Sequence, residues 1–235
     1  MSSGASQVRF AILCLGRSGS THLQSLIDSH PEACCFGELF NPRAPEPPAF
    51  AHSEQRDERE YLDALLGGRA ERAVGFKLPM NSIRAHPRAG ALVGEDPRMR
   101  VIRLSRRNLL AQFVSRRMMA TTKVSQSIFG SYGDATVKIE PAHCLEALEA
   151  MEADERELDR LASARPVLAV VYERLVAGEE IEELQRFLGL EPVALRSWFT
   201  RLRTRSLAET VENWDELEAA LRHTRFEPFL ADAVA

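Results

Sequence analysis

The chain has 235 residues, 45% hydrophobic and 27% charged, with 30 basic against 34 acidic side chains and a net charge of −4. That length suffices for one substantial core, and the composition is that of an ordinary globular protein. The slight acidity argues against a nucleic-acid partner wrapped around the molecule, although a local cationic pocket remains compatible with it.

Along the chain, Val8–Leu15 (VRFAILCL) is an apolar run that reads as a buried strand. It is too short to span a membrane and lacks the basic start of a signal peptide, so a cytoplasmic protein without a transmembrane segment is expected. Residues 1–7 are small and polar and are expected to be flexible. Gly16–Thr21 (GRSGST) is a turn, and His22–Ser29 places Leu23, Leu26 and Ile27 at helical spacing before Pro31. Ala33–Phe36 is a short strand candidate. Prolines 42, 45, 47 and 48 mark a surface loop over 41–57. Glu58–Leu66 is helical in pattern and closed by Gly67 and Gly68. Val74–Leu78 and Met99–Leu104 read as strands, and Asn108–Met119 as a helix. Pro141–Ala164 is helical and charge-laced, Val167–Tyr172 is an apolar strand, and Glu179–Leu188 is an amphipathic helix. Asn213–Arg222 is again helical, followed by Phe226–Leu230. Strands alternating with helices imply an α/β fold, a mostly parallel central sheet flanked by helices, within a single domain over 1–235.

Cysteines 14, 34, 35 and 144 form no CxxC pair. Neither a disulfide scaffold nor a zinc site is expected, and buried thiols are the plain reading.

The turn after the first strand carries the first chemical signal. Gly16 and Gly19 permit a tight turn. Ser18, Gly19, Ser20 and Thr21 would aim N–H groups at an anion where the helix starts, and Arg17 adds a permanent charge with a five-donor fork. A plain helix cap is the alternative, but such a cap needs no arginine. The turn is not a GxxxxGK[ST] phosphate loop, because its cation comes early, at Arg17. The second signal is MRVIRLSRRNLLAQFVSRR, a strand, a basic turn and a helix. Arg107 and Ser115, eight positions apart, can make charge-assisted bonds to one phosphate. Arg116 and Arg117 either assist there or face water.

GRSGST opening a helix resembles the 5'-phosphosulfate loop of sulfotransferases that use 3'-phosphoadenosine-5'-phosphosulfate (PAPS), and is most similar to the carbohydrate-type and bacterial members, including those related to nodulation sulfotransferases. The resemblance implies a P-loop-like sulfotransferase fold and PAPS as donor, with PAP as product and no metal required. By it Arg17, Ser18, Gly19, Ser20 and Thr21 hold the 5'-phosphate and the transferring group. Arg107 and Ser115 match the family's 3'-phosphate pair, with Asn108 in the common Arg-Asn position. VVYERL and the later FLGL resemble the segment that puts Tyr172 near the donor nucleoside. A core tyrosine at a strand end is the alternative. Arg203 and Arg205 precede a tail similar to that of bacterial members, which makes Arg205 a candidate for closing over the 3'-phosphate; Trp214 reads as a packing residue.

Sulfuryl transfer needs an in-line acceptor, a base for its proton and positive charge near the bridging oxygen. Glu38, in CCFGELFNP, matches a glutamate that some bacterial members use as base; a helix-start carboxylate is the other reading. Lys77 fits the lysine at a strand end in the cytosolic branch, but no histidine follows it directly. His86, nine positions on, is the rival base, and His22 a weaker one. The expected partner is a carbohydrate, glycolipid or small-molecule acceptor rather than nucleic acid. The oligomeric state is not legible. A P-loop-like kinase or phosphotransferase and a non-catalytic nucleotide-binding relative are the competing functions.

Overall fold

The computed structural model describes residues 7–41, 50, 53, 57–125, 131–199, 202 and 205–231. Most of the start over 1–7 and of the proline-rich loop over 41–57 lies outside the described residues, as does Arg203.

The first half of the chain forms β1 (Val8–Cys14), α1 (Ser20–Asp28), β2 (Ala33–Glu38), α2 (Glu58–Gly67), β3 (Ala73–Pro79), α3 (Met80–Ala85), α4 (Pro87–Glu95) and β4 (Met99–Ser105). There follow α5 (Leu109–Thr122), α6 (Pro141–Ala162), β5 (Val167–Val171), α7 (Tyr172–Val176), α8 (Ile181–Phe187), α9 (Leu207–Thr210), α10 (Trp214–Leu221) and a 3-10 turn, Glu227–Leu230. The chain groups into two compact units, Met1–Ser105 with Glu155–Ser197, and Arg106–Asp154 with Trp198–Ala235.

The first unit is built on the sheet, in strand order β2-β3-β1-β4-β5 with every pairing parallel. Successive side chains of a strand point to opposite faces, and β1 is buried along nearly its whole length, so both faces of the sheet are covered. On one face Phe10, Ile12 and Cys14 pack with Ile102, Leu104 and Val170 against Leu23 and Ile27 of α1, Leu184 of α8 and Leu188 at its end. The connection after β1 leads to one side of the sheet and the chain later returns to β4 on the other. The carboxyl end of β1 is therefore the topological switch, where open α/β sheets bind ligands.

On the opposite face Arg9 is 4% exposed. It pairs with Asp63 of α2 and, at 3.0 Å, with Asp96 after α4. Burial alone would raise the Asp96 carboxyl, but hydrogen bonds from Arg98 and the charges of Arg98 and Arg9 outweigh it and hold the group below its ordinary value. A carboxyl lowered in this way stabilises the fold at pH values above its unfolded value and loses that contribution as pH falls through the folded one. Asp96→Asn is expected to cost roughly 1–3 kcal/mol in urea denaturation at pH 7. The deficit should shrink as pH falls below about 4; a deficit independent of pH would contradict this.

In the second unit Asn108 caps α5, accepting from Ala111 N–H at 2.8 Å and donating to the Phe229 carbonyl at 2.9 Å. Val137 bridges Val211, and Ser206 with Glu209 forms a capping box on α9. Trp214 opens α10 and is half-buried, in keeping with a packing role.

Two sequence expectations need correction. The segment after β3 forms two short helices, α3 and α4, where no element was expected. Tyr172 begins α7 rather than ending β5. The strand stops at Val171, whose N–H is taken by Glu180 Oε2 at 3.0 Å.

Candidate active site

The turn from β1 to α1 is made by two left-handed residues, Arg17 at φ 67° and Gly19 at φ 93°. For Gly19 this conformation is free of penalty, whereas for Arg17 it is a local strain of a kind concentrated at ligand sites. Gly19 is the N-cap of α1, and no side chain caps the helix. Ser20 and Thr21, read from sequence as part of the turn, are its first two helical residues. Ser18 is 0% exposed and its Oγ has no hydrogen-bond partner. The weakly polar Cys14 thiol is its neighbour rather than a full hydrogen-bond partner; burial pushes that thiol up to about 11 against the lowering effects of Ser18 and Lys77, so Cys14 stays neutral.

Strand register brings the next residues in. Glu38 and Lys77 are paired positions of β2 and β3, and Lys77 also pairs with Ile12 of β1. In-register parallel neighbours share a face, here the face covered by α1. Lys77 Nζ, 6% exposed as a residue, lies 3.5 Å from Thr21 Oγ1 and 3.9 Å from Glu38 Oε1. Glu38 is the last residue of β2 and follows an irregularity between Phe36 and Glu38 that re-aims its side chain. Its Oε2 accepts a 2.9 Å hydrogen bond from Asn41 Nδ2. Asn41 was not singled out in the sequence; an amide three residues beyond the carboxylate was the available signal.

Tyr172 lies on the loop itself. A Cβ added at Gly19 would sit 2.3 Å from Tyr172 Cδ2, so glycine is required there by contact as well as by φ. Gly19→Ala is expected to destabilise the fold by roughly 1–3 kcal/mol. Adding Tyr172→Ala should recover part of that loss, because it removes the clash and leaves only the strained φ. Urea denaturation of both single variants and the double variant checks this, and strictly additive losses would argue against the contact.

His86 is placed differently. It lies between α3 and α4 with its ring 5.6 Å from Phe40 and 5.5 Å from Phe50, and its Nδ1 is 3.7 Å from Glu58 Oε1. Among the described residues its ring and ion-pair partners do not include Lys77, Thr21 or Glu38. His22 is in the first turn of α1.

In the second unit, Arg107 precedes the cap of α5 and Ser115 lies within that helix, 8% exposed. Ser115 Oγ is 3.2 Å from Tyr132 Oη, which also donates to the Ser115 carbonyl at 3.1 Å. Tyr132, a contact the sequence did not suggest, thus fixes Ser115. Arg205 donates to the Asp134 carbonyl at 3.2 Å. Among the described residues no group of three or more His, Cys, Asp or Glu side chains is placed to hold a metal ion, and no helix is long and apolar enough to cross a membrane.

Residues 10–81, which contain the loop, Glu38 and Lys77, match the model of a family described as the Sulfotransferase family. No curated protein sequence matches the chain. The crystal structure of a sulfotransferase from Alicyclobacillus acidocaldarius is similar at a TM-score of 0.52 and 17% identity, over 96% of each chain. The sulfotransferase domain of the Synechococcus PCC 7002 olefin synthase gives a TM-score of 0.47 and 16% identity, over 81% of this chain and 76% of that one.

Proposed function

We propose that this chain, whose fold is of the sulfotransferase type, transfers a sulfuryl group from PAPS to the hydroxyl or amine of an acceptor. The observation that carries this reading is the convergence of Lys77, Thr21 and Glu38 beside a loop that keeps a buried Ser18 hydroxyl without a partner. A buried polar group left unsatisfied costs about 1–3 kcal/mol, and a ligand oxygen would satisfy it. The donor set suits a phosphate-type anion: Arg17, the uncapped start of α1, and the hydroxyls of Ser18, Ser20 and Thr21.

PAPS supplies an activated sulfuryl group and leaves as PAP. Arg17 and the first-turn N–H groups bind the 5' side, and Lys77 offers positive charge next to Thr21 where charge develops. Asn41 holds Glu38 Oε2, which leaves Oε1, on the Lys77 side, to take the acceptor's proton. Tyr172 supplies an aromatic surface against the loop for the nucleoside. Arg107 and Ser115 are assigned to the 3'-phosphate, and Arg205 to closure over it, on the sequence resemblance alone. A carbohydrate, glycolipid or small-metabolite acceptor, catalysis without metal and a cytoplasmic setting belong to the same proposal. A kinase reading is less well supported, since the lysine comes from β3 rather than from the loop.

Calorimetric titration with PAP and AMP tests the donor. Each charge-assisted hydrogen bond is worth roughly 1.5–3 kcal/mol, so PAP should bind at least about tenfold more tightly than AMP. Equal affinities would contradict the assignment.

A further inference from the structure

We propose that the second unit carries a ligand site of its own, a cleft that takes small organic anions with a flat aromatic body. Its volume is about 650 Å³, within the range of small-molecule sites. Its floor is apolar: Phe113 and Ile139 are each 2% exposed. The His143 ring meets Phe113 edge-on, with centroids 6.0 Å apart. A flat ring finds partners there of the kind aromatic groups prefer.

The charges around the cleft are not equally available. Glu140 spends its carboxylate on the start of α6, accepting from the N–H groups of Ala142 at 3.0 Å and His143 at 2.5 Å. Those two bonds hold its carboxyl below the usual range. Glu216 Oε2 accepts from Asn213 Nδ2 at 2.9 Å, and Asn213 is itself fixed to the backbone of Ile139. Arg117 and Lys138 line the same cleft, are exposed, and have no carboxylate partner among the described residues. The charged groups that hold no bond of their own among the described residues are therefore cations, a guanidinium fork and an ammonium beside an aromatic floor, while Glu140 and Glu216 keep their charge but are held at the start of α6 and on Asn213. Phe113 and Arg117 are four residues apart and share a face of α5. Ser115, two residues from each, is turned away from that face and is bound to Tyr132. The cleft is thus separate from the Ser115 hydroxyl, and it stands or falls independently of the sulfuryl-transfer reading.

The test is chemical-shift mapping of the full chain with 4-nitrophenyl sulfate, 4-nitrophenol and inorganic sulfate. The sulfate ester is expected to shift the amides of residues 138–143 and 213–216 and to bind at least about fivefold more tightly than either half alone, since only it meets both ring and cations. Arg117→Glu and Lys138→Glu replace exposed side chains that have no partner among the described residues. Each should retain the wild-type fold and weaken ester binding about tenfold or more. Four results would each overturn the proposal: no shifts in those segments, shifts confined to residues 16–21, an ester no tighter than inorganic sulfate, or binding unchanged in both variants.

Discussion

Replacing Glu38 with glutamine is expected to slow the chemical step by roughly 10²–10⁴-fold while PAP binding stays intact. The amide keeps the size of the side chain and its hydrogen bond with Asn41, but it no longer accepts a proton. Glu38 is suited to the role because register sets it beside Lys77, 3.9 Å from the ammonium, at the end of β2. Single-turnover kinetics make the comparison, with His86→Ala as control. His86 is tied to Phe40, Phe50 and Glu58, so its loss should leave the rate within a few-fold of wild type. A fast Glu38→Gln enzyme together with a crippled His86→Ala enzyme would transfer the base to the histidine.

The second large effect is expected at Arg17. Its φ of 67° is a conformation that glycine adopts freely, so Arg17→Gly removes the guanidinium while relaxing the backbone. Folding stability should stay within about 1 kcal/mol of wild type, the relaxed backbone offsetting glycine's greater freedom when unfolded. Turnover should fall by roughly 10²–10³-fold, the usual loss when one donor aimed at developing charge is removed. Thermal unfolding and single-turnover rates on the same preparation separate the two quantities. A fall in stability that matched the loss of rate would mean that Arg17 serves the turn rather than the chemistry.

The parts of this fold that were legible in the sequence are those where local pattern and tertiary environment agree. VRFAILC is apolar apart from Arg9, whose charge is met by Asp63 and Asp96, because β1 is central and covered on both faces, and GRSGST announces the turn through its glycines. The helices after β3 were hidden because Pro79, Pro87, Gly90 and Gly94 all signal loop. In the structure Pro87 occupies the first turn of α4, where its missing N–H costs nothing, and Gly90 packs close to Ile83, so the breakers are accommodated. Tyr172 read as strand because Val-Val-Tyr favours β structure; the strand stops one residue earlier, where the Val171 N–H is taken by the Glu180 carboxylate nine residues on.

At the candidate site, sequence order alone brought Arg17, Ser18 and Gly19 together. The meeting of Glu38 with Lys77 depends on β2–β3 register, and the support from Asn41 depends on the turn that follows β2. The first is not written in spacing, and the second shows there only as an amide three residues beyond the carboxylate. The division of the chain into two units was equally invisible, since no linker composition marks residues 105–106, 154–155 or 197–198.

The most direct test supplies the protein with sulfur-labelled PAPS and a panel of carbohydrate, glycolipid and phenolic acceptors, beside a parallel reaction with γ-phosphorus-labelled ATP and magnesium. Sulfuryl transfer predicts sulfur label in an acceptor, stoichiometric PAP, loss of both in Glu38→Gln, and no phosphorus label. Phosphorus in the acceptor without sulfur, or bound PAPS that is never consumed with any acceptor class, would contradict it.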